Sequence, residues 1–441
     1  MNRTVGIAAA LLWLAAANGS GAEPRKLTLD EALALALERS PHAMEAQSRL
    51  DEAEARRRAA QAGARPTLKA RGAADYWTED QRLFPATKNG EAGAFGPYLL
   101  GAELVAGFPL YTGGRIAGET KAAEWNRQAA EHQWVRAREI LAFQVTASFY
   151  DLLARDEVLK SLETAVRAME AQQRAIQSLV EAEKAARVDL LRANVRRAEL
   201  FELQLRERNN RVARQRAWAV LLGLDDADAP EAQGTLTLRQ PPAGPDPADC
   251  RRKAMEQRAD YWAARAAVAA AESAVWAARA GYRPTVSAQA SYGVRWMPEV
   301  VDRRDGADDQ AAFGRAGIAV EFPLFDGRLT AARVAEQEAR KRGAQERLRA
   351  LELQIRYEVE TALADIASAM ERVRTSEQAV QQAEESFRIM QEKYELGKGT
   401  MTDVLDAQAA VVAARTSHAR ALADLAVADA RRRLAVGEIL P

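Results

Sequence analysis

From Pro284 the even positions Pro284, Val286, Ala288, Ala290, Tyr292, Val294 and Trp296 are apolar, while Thr285, Ser287, Gln289, Ser291, Gly293 and Arg295 fall between them. A second stretch sets Ala316, Ile318, Val320, Phe322 and Leu324 against Arg315, Gly317 and Glu321. The first half of the chain does the same twice, with Tyr98, Leu100, Ala102, Leu104, Ala106 and Phe108, and with Leu68, Ala70, Ala74 and Tyr76 opposing Lys69, Arg71 and Asp75. Successive side chains of a strand point to opposite faces, so this period of two predicts strands at about 65–78, 97–110, 283–296 and 314–325. A soluble sheet with one buried face and a membrane barrel share the pattern, and the aromatics Tyr76, Trp77, Tyr98 and Trp296 at strand ends suit the interfacial girdle of a barrel. Four strands cannot enclose a lumen, and open edges are not tolerated in lipid. Strands of this chain in a membrane would have to be pooled from several copies.

Elsewhere the period changes to intervals of three and four. Leu348, Leu351, Ile355, Val359, Ala362, Ile366, Ala369 and Val373 are followed by Val380, Ala383, Phe387, Met390 and Tyr394, and the first half has Leu152, Leu159, Leu162, Val166, Met169, Ile176 and Val180. These are heptad spacings. No proline interrupts Gly113 to Val180 or Gly327 to Leu396, so long helices are expected at about 113–182 and about 327–396. At 1.5 Å per residue each would be roughly 100 Å long. Shorter helices follow at about 187–222 and about 400–434. Alanine is common at the contact positions, which favours staves of a helical tube over a solvated coiled-coil stalk.

The two halves share one plan. FPLYTGGR begins at Phe108 and FPLFDGR at Phe322 (322 − 108 = 214), Asp189 in VDLL is matched by Asp403 in TDVL (403 − 189 = 214), and Gly223 by Gly437 (437 − 223 = 214). AGARPTL from Ala62 and AGYRPTV from Ala280 are offset by 218 (280 − 62). Each half reads helix, strand, strand, long helix, helix, with a first repeat over 23–224, a second over 251–441, and a Pro-, Gly- and Asp-rich connector over 225–250 that has room for one short strand. At the two junctions Phe108, Pro109, Gly114 and Arg115, and Phe322, Pro323, Gly327 and Arg328, close a strand and turn the chain into a long helix.

Composition narrows the function. Residues 1–22, with Arg3, the apolar run Val5 to Ala17 and small residues Ser20 and Ala22, read as a secretory signal. No later segment approaches the roughly 18 apolar residues of a membrane-spanning helix, which excludes an inner-membrane transporter. The chain carries 62 basic and 62 acidic residues, so nothing points to nucleic acid. Cys250 is the sole cysteine; it can form no intramolecular disulfide and lies far from the position of a lipoprotein's acylated cysteine. His42, His132 and His418 are scattered, no metal-binding spacing, phosphate loop or nucleophile setting occurs, and neither an enzyme nor a cofactor is expected.

The signal, the duplicated plan, the FPL junctions and YELGKGTMTDVLDAQ (Tyr394 to Gln408) together resemble the TolC-type outer membrane efflux protein family over nearly the whole mature chain. The resemblance implies a mostly helical protein with membrane β-structure. It would be a homotrimer pooling four strands per chain into a twelve-stranded β-barrel, continued by a long periplasmic α-helical barrel. It further implies an outer membrane exit duct of a tripartite efflux pump, with outer membrane lipid, a periplasmic adaptor protein and an inner-membrane transporter as partners. On the family's periplasmic gate fall Tyr394, Asp403 and Asp406, with Asp189 as the partner of Tyr394. Asp403 and Asp406, three apart on one helical face, would ring the pore with like charges that attract cations. The same acids also suit a solvated helix start, where the helix dipole favours them. The family's gate arginine falls on Gly399, beside Lys398, so its salt bridge is either missing or supplied by another residue. The adaptor would meet the helix tips, Glu183 and Lys184 in one half and Gly397 and Gly399 in the other; Glu183 and Ala185 stand where the second half has glycines, so the first tip is expected to turn differently.

Two other readings stay open. A type I protein secretion conduit uses the same fold. A periplasmic adaptor or structural coiled-coil protein with a soluble β-domain would explain the leader and the helices, though not apolar faces on all four strands.

Overall fold

A computed structural model describes residues 25–86, 93–225, 228–236, 246–303 and 308–440. The expected signal segment lies outside them. The duplication is visible in where the elements start. Helices α1 (Leu29–Arg39), α2 (Pro41–Ala62) and strand β2 (Thr67–Arg82) begin 218 residues before α5 (Pro247–Gln257), α6 (Ala259–Arg279) and β5 (Thr285–Trp296): 29 + 218 = 247, 41 + 218 = 259 and 67 + 218 = 285. Helices α3 (Arg115–Glu181) and α4 (Arg187–Leu222) begin 214 residues before α7 (Leu329–Glu395) and α8 (Met401–Val436). The long helices have 67 residues each and the shorter ones 36 each. Equal lengths after so much sequence change show that the second half keeps the helical register of the first.

The chain folds as two compact units, one of Glu45–Ala137 and Ala248–Val359, the other of Met1–Met44, Arg138–Pro247 and Glu360–Pro441. The first holds the sheet. Strands β2, β3 (Ala94–Tyr111), β5 and β7 (Gln310–Glu321) pair antiparallel in that order, and the short β6 (Asp302–Arg303) pairs with the start of β3. Register places Leu68, Ala70, Ala74 and Tyr76 across from Ala106, Leu104, Leu100 and Tyr98, then Ala106, Leu104 and Ala102 across from Ala290, Tyr292 and Val294, then Val286, Ala288 and Ala290 across from Val320, Ile318 and Ala316. One face of the sheet is therefore apolar throughout. The other carries Lys69, Arg71, Glu103, Gln289, Ser291, Arg315 and Glu321, with Arg71 and Glu103 paired at 3.3 Å. Among the described residues nothing covers the apolar face: Leu68, Tyr292, Ile318 and Val320 are each about 70% exposed. Strands β2 and β7 each have one free edge among the described residues.

The strand expected to run to about 325 stops at Glu321, so Phe322 and Pro323 lie beyond the ladder, while their twins Phe108 and Pro109 are inside β3, paired with Ala288 and Ser287. β3 has a neighbour on both sides and β7 only on one, and that neighbour, β5, starts at Thr285 opposite Glu321, which leaves Phe322 and Pro323 no strand to pair with among the described residues. After each motif the chain turns in the same way. Gly113 and Gly327 sit at φ 64° and 65°, Gly114 and Arg328 at φ 94° and 70°. The Ile116 amide donates to Thr112 Oγ1 at 3.4 Å, and the Thr330 amide donates to Asp326 Oδ2 at 2.8 Å. Arg115 is the first residue of α3, whereas Arg328 takes the left-handed position that Gly114 holds in the first half.

In the second unit the heptad residues are buried or half-buried, as their spacing requires. Val158, Leu162, Val166, Met169 and Ile176 of α3 pack with Ala193 and Leu200 of α4 and with Met401, Val404, Leu405 and Val412 of α8, and Phe387, Met390 and Tyr394 of α7 join at the margin. A further cluster joins Ile366, Ala369 and Val373 of α7 to Ala421, Leu425 and Ala428 of α8. Near the end of α4, Trp218 and Leu222 pack with Ala32 and Ala36 of α1 and Leu141, Val145 and Phe149 of α3. Two short strands, β1 (Lys26–Leu27) and β4 (Glu231–Ala232), pair in parallel beside it. Among the described residues of the connector there is a short strand, β4, whose partner, just ahead of α1, is too brief to leave a periodic signal. Among the described residues no helix is long and apolar enough to cross a membrane.

Candidate functional site at the helix turns

The turns from α3 to α4 and from α7 to α8 bring together the acids singled out above. Their backbones match. At the first, the Glu183 amide donates to Val180 O at 3.0 Å and the Lys184 amide to Leu179 O at 2.8 Å. At the second, the Gly397 amide donates to Tyr394 O at 2.9 Å and the Lys398 amide to Lys393 O at 2.8 Å, every atom shifted by 214 residues. Gly397 has φ 69° and Glu183 φ 57°. The expectation of a different first turn is thus overturned. Glu183 takes the left-handed conformation although a side chain there costs roughly 1–2 kcal/mol, because the helices on either side dictate the path. Gly399 needs no positive φ; it lies close over Lys393 and Tyr394, where a Cβ would approach their atoms to within 3.2–3.3 Å.

The acids diverge more than the backbones. Asp403 is the fourth residue of a capping box. Its Oδ2 accepts from the Thr400 amide at 3.0 Å and from Thr400 Oγ1 at 2.7 Å, and its own amide donates to Thr400 Oγ1 at 3.3 Å. The Thr400 hydroxyl and amide, with the charge of Lys393, hold the Asp403 carboxyl below its ordinary range. Thr400-x-x-Asp403 is a legible capping signature that pattern reading passed over. Asp406, one turn on, is exposed. In α4 the position equivalent to Thr400 is Ala186, which makes no side-chain cap. Asp189 is therefore free of the helix end. It lies 3.9 Å from Arg192 Nη1 and near enough to Tyr394 to oppose ionisation of the phenol. Burial is the larger reason that the Tyr394 phenol is pushed above its ordinary value, and the Asp189 charge adds to it.

Arg192 joins the site without any sequence signal. From α4 its Nη1 donates to Thr402 Oγ1 of α8 at 2.9 Å and so ties the two turns together, a contact between residues 210 apart. Lys398, beside the vacant arginine position, is exposed and forms no ion pair among the described residues. On the adjoining helices Arg388 bridges Glu385 and Glu392, each at 2.6 Å, and Arg415 of α8 reaches Glu384 of α7 at 2.6 Å. The site thus links Asp189, Arg192 and Thr402 directly and places Tyr394 within reach of the Asp189 charge, with Asp403 engaged in its own helix and Asp406 and Lys398 exposed to solvent. Among the described residues no group of three or more His, Cys, Asp or Glu could hold a metal ion. His418 is half-buried, with Nδ1 3.0 Å from Ser376 Oγ.

The sequence profile of the outer membrane efflux protein family matches residues 32–225 and 251–438. Outer membrane efflux protein BepC of Brucella suis is 28% identical over 187 residues, which are 42% of this chain and 39% of that protein, so the matched stretch spans about two fifths of the relative. Among solved structures, the outer membrane protein VceC of Vibrio cholerae is similar with a TM-score of 0.77 at 21% identity, over 93% of this chain and 96% of that one. The CmeC outer membrane channel of Campylobacter jejuni has a TM-score of 0.79 at 15% identity, over 93% and 85%. The open state of the MtrE outer membrane channel of Neisseria gonorrhoeae has a TM-score of 0.73 at 19% identity, over 93% and 89%. At such identities the likeness is one of fold.

Proposed function

The chain belongs to the outer membrane efflux protein family, and from that premise we propose that three copies close one twelve-stranded barrel in the outer membrane and continue as a helical duct into the periplasm. The duct conducts small molecules passively, handed on by an inner-membrane transporter through a periplasmic adaptor. One observation carries this reading. The sheet is apolar over the whole of one face, and among the described residues that face is uncovered and each edge strand lacks a partner on its outer side. In water such a sheet would expose aromatic and aliphatic side chains and a template for aggregation. In a closed barrel the apolar face meets lipid, the charged face lines a wet lumen, and no edge remains.

Tyr394, Asp189 and Arg192 form the periplasmic constriction, with Asp406 of each copy supplying a ring of negative charge. Asp403 keeps its charge, but Thr400 fixes its carboxylate at the start of α8, so it is less free than Asp406 to turn toward a passing cation. The tips around Glu183, Lys184, Gly397 and Gly399 are the surface offered to the adaptor. Energy for transport comes from the partner, since the duct itself performs no chemistry.

Expressed with its leader in a Gram-negative host, the chain is expected in the outer membrane fraction, released by detergent as a trimer, and able to produce discrete conductance steps in planar bilayers. Recovery as a soluble periplasmic monomer would overturn the proposal.

A further inference from the structure

The internal repeat specifies how neighbouring copies meet. We propose that the free edges of β7 and β2 join successive copies in a single register, with Phe322 of one copy opposite Ala70 of the next, and that this seam draws the second Phe-Pro-Leu into the ladder. The inference rests on the closed barrel proposed above and adds to it the pairing of each residue.

The two offsets act as a pairing rule that can be checked inside one chain. Ala70 pairs with Leu104 across β2 and β3. Adding 218 to the first and 214 to the second gives Ala288 and Ile318, which pair across β5 and β7. Thr67 and Gly107 map in the same way to Thr285 and Glu321, and Tyr76 and Tyr98 to Val294 and Ala312, both observed pairs. The β3–β5 seam should then have its own image. Phe108 pairs with Ala288; 108 + 214 = 322, and 288 − 218 = 70. The image lies between β7 and β2, which hold the two free edges among the described residues and, since four strands cannot close on themselves, meet between copies.

Side chains support this alignment. It sets Phe322, Val320, Ile318 and Ala316 opposite Ala70, Gly72, Ala74 and Tyr76 of the next copy, a large residue facing a small one each time. On the polar face it sets Glu321 opposite Arg71, which already pairs with Glu103 on its other side. A slip of one residue would place Phe322 against Lys69 and put the apolar set on the polar face. The alignment also accounts for a difference between the twin motifs. Phe322 and Phe325 are 54% and 86% exposed and have no strand partner among the described residues, against 40% and 46% for Phe108 and Tyr111, which pair with β5. In the proposed seam Phe325 falls opposite Leu68, as Tyr111 falls opposite Val286 past the ladder's irregularity.

Disulfide trapping tests the register in the full-length protein carrying Cys250→Ala. The matched pairs are Ala73→Cys with Ala319→Cys on the polar face and Ala74→Cys with Ile318→Cys on the apolar face. Adjacent pairs alternate between hydrogen-bonded and non-hydrogen-bonded positions, so one of the two has the closer geometry. Controls combine Ala319→Cys with Arg71→Cys or with Asp75→Cys, a displacement of two residues, about 7 Å along the strand, beyond the span of a disulfide. The expected result is a covalently closed oligomer on denaturing, non-reducing gels for at least one matched pair and little from the controls. Cross-linking through a control instead, in protein that still forms detergent-stable oligomers, overturns the register while leaving the barrel intact. Absence of any cross-link in protein that is monomeric in detergent overturns the register together with the barrel beneath it.

Discussion

The turns at 180–189 and 394–403 have the same backbone and different chemistry. Both close with the same two hydrogen bonds and both place one residue in the left-handed region. At the second turn glycine fills that position and a Thr-Asp box caps the helix; at the first, glutamate fills it and alanine stands at the cap. The consequence is a division of labour between two acids that descend from one position. Asp403 is held by its own helix end, and Asp189, with no threonine to hold it, faces Tyr394 and Arg192. Duplication preserved the path of the chain, and a single cap residue decided which carboxylate is held by its own helix start and which is not.

That division can be tested, the strongest effect first. Asp406→Ala is expected to weaken the cation preference of single channels more than Asp403→Ala does, with trimer assembly unaffected in both; equal effects on selectivity would remove the distinction. Next, Thr400→Ala should destabilise the tip by about 1 kcal/mol, the usual worth of an N-cap, seen as faster amide exchange over residues 400–405. The reverse change, Ala186→Thr, should slow exchange at the start of α4 and draw Asp189 away from Tyr394.

A pH dependence follows from the lowered Asp403 carboxyl. Because its folded value lies below its unfolded one, its stabilising contribution is present above the ordinary carboxylate range and is lost as pH falls below it. Protection of the α8 tip should therefore decline on acidification in the parent protein, and the decline should be smaller in Thr400→Ala. Glu183→Gly should stabilise the first turn by about 1 kcal/mol through relief of the left-handed residue, measurable as a higher unfolding midpoint in detergent. The smallest effect is expected from Asp189→Asn. It should lower the Tyr394 phenol towards its ordinary value without restoring it, since burial is the larger cause; the difference titration against Tyr394→Phe reads this directly.

Much of the molecule was legible from pattern alone. Period-two alternation located all four long strands and assigned their faces, because a strand has only two faces and one of them is apolar throughout. Heptad spacing marked the residues that prove buried, Ile355, Val359, Ala362, Ile366, Ala369 and Val373 among them. Less legible were the ends. The alternation ran on through Phe322 and Leu324, but a strand ends where its hydrogen-bonding partner ends, and a one-dimensional pattern does not record partners. The turn at Glu183 departs from its local signal for a similar reason: preference for glycine yielded to two long helices whose packing requires a left-handed residue between them. Thr400 could have been found from its spacing to Asp403, whereas Arg192 could not, since it acts across 210 residues.

By itself, the sequence determined the repeat, its two offsets, the faces of the strands and the burial stripe of each helix, all consequences of periodicity and chain connectivity. Where the ladder stops, which acid is bound into a cap and which is not, and that Arg192 meets Thr402 were settled in three dimensions. Those outcomes depend on hydrogen-bond partners brought from distant parts of the chain, and the energy of a hydrogen bond resides in the pair rather than in either residue.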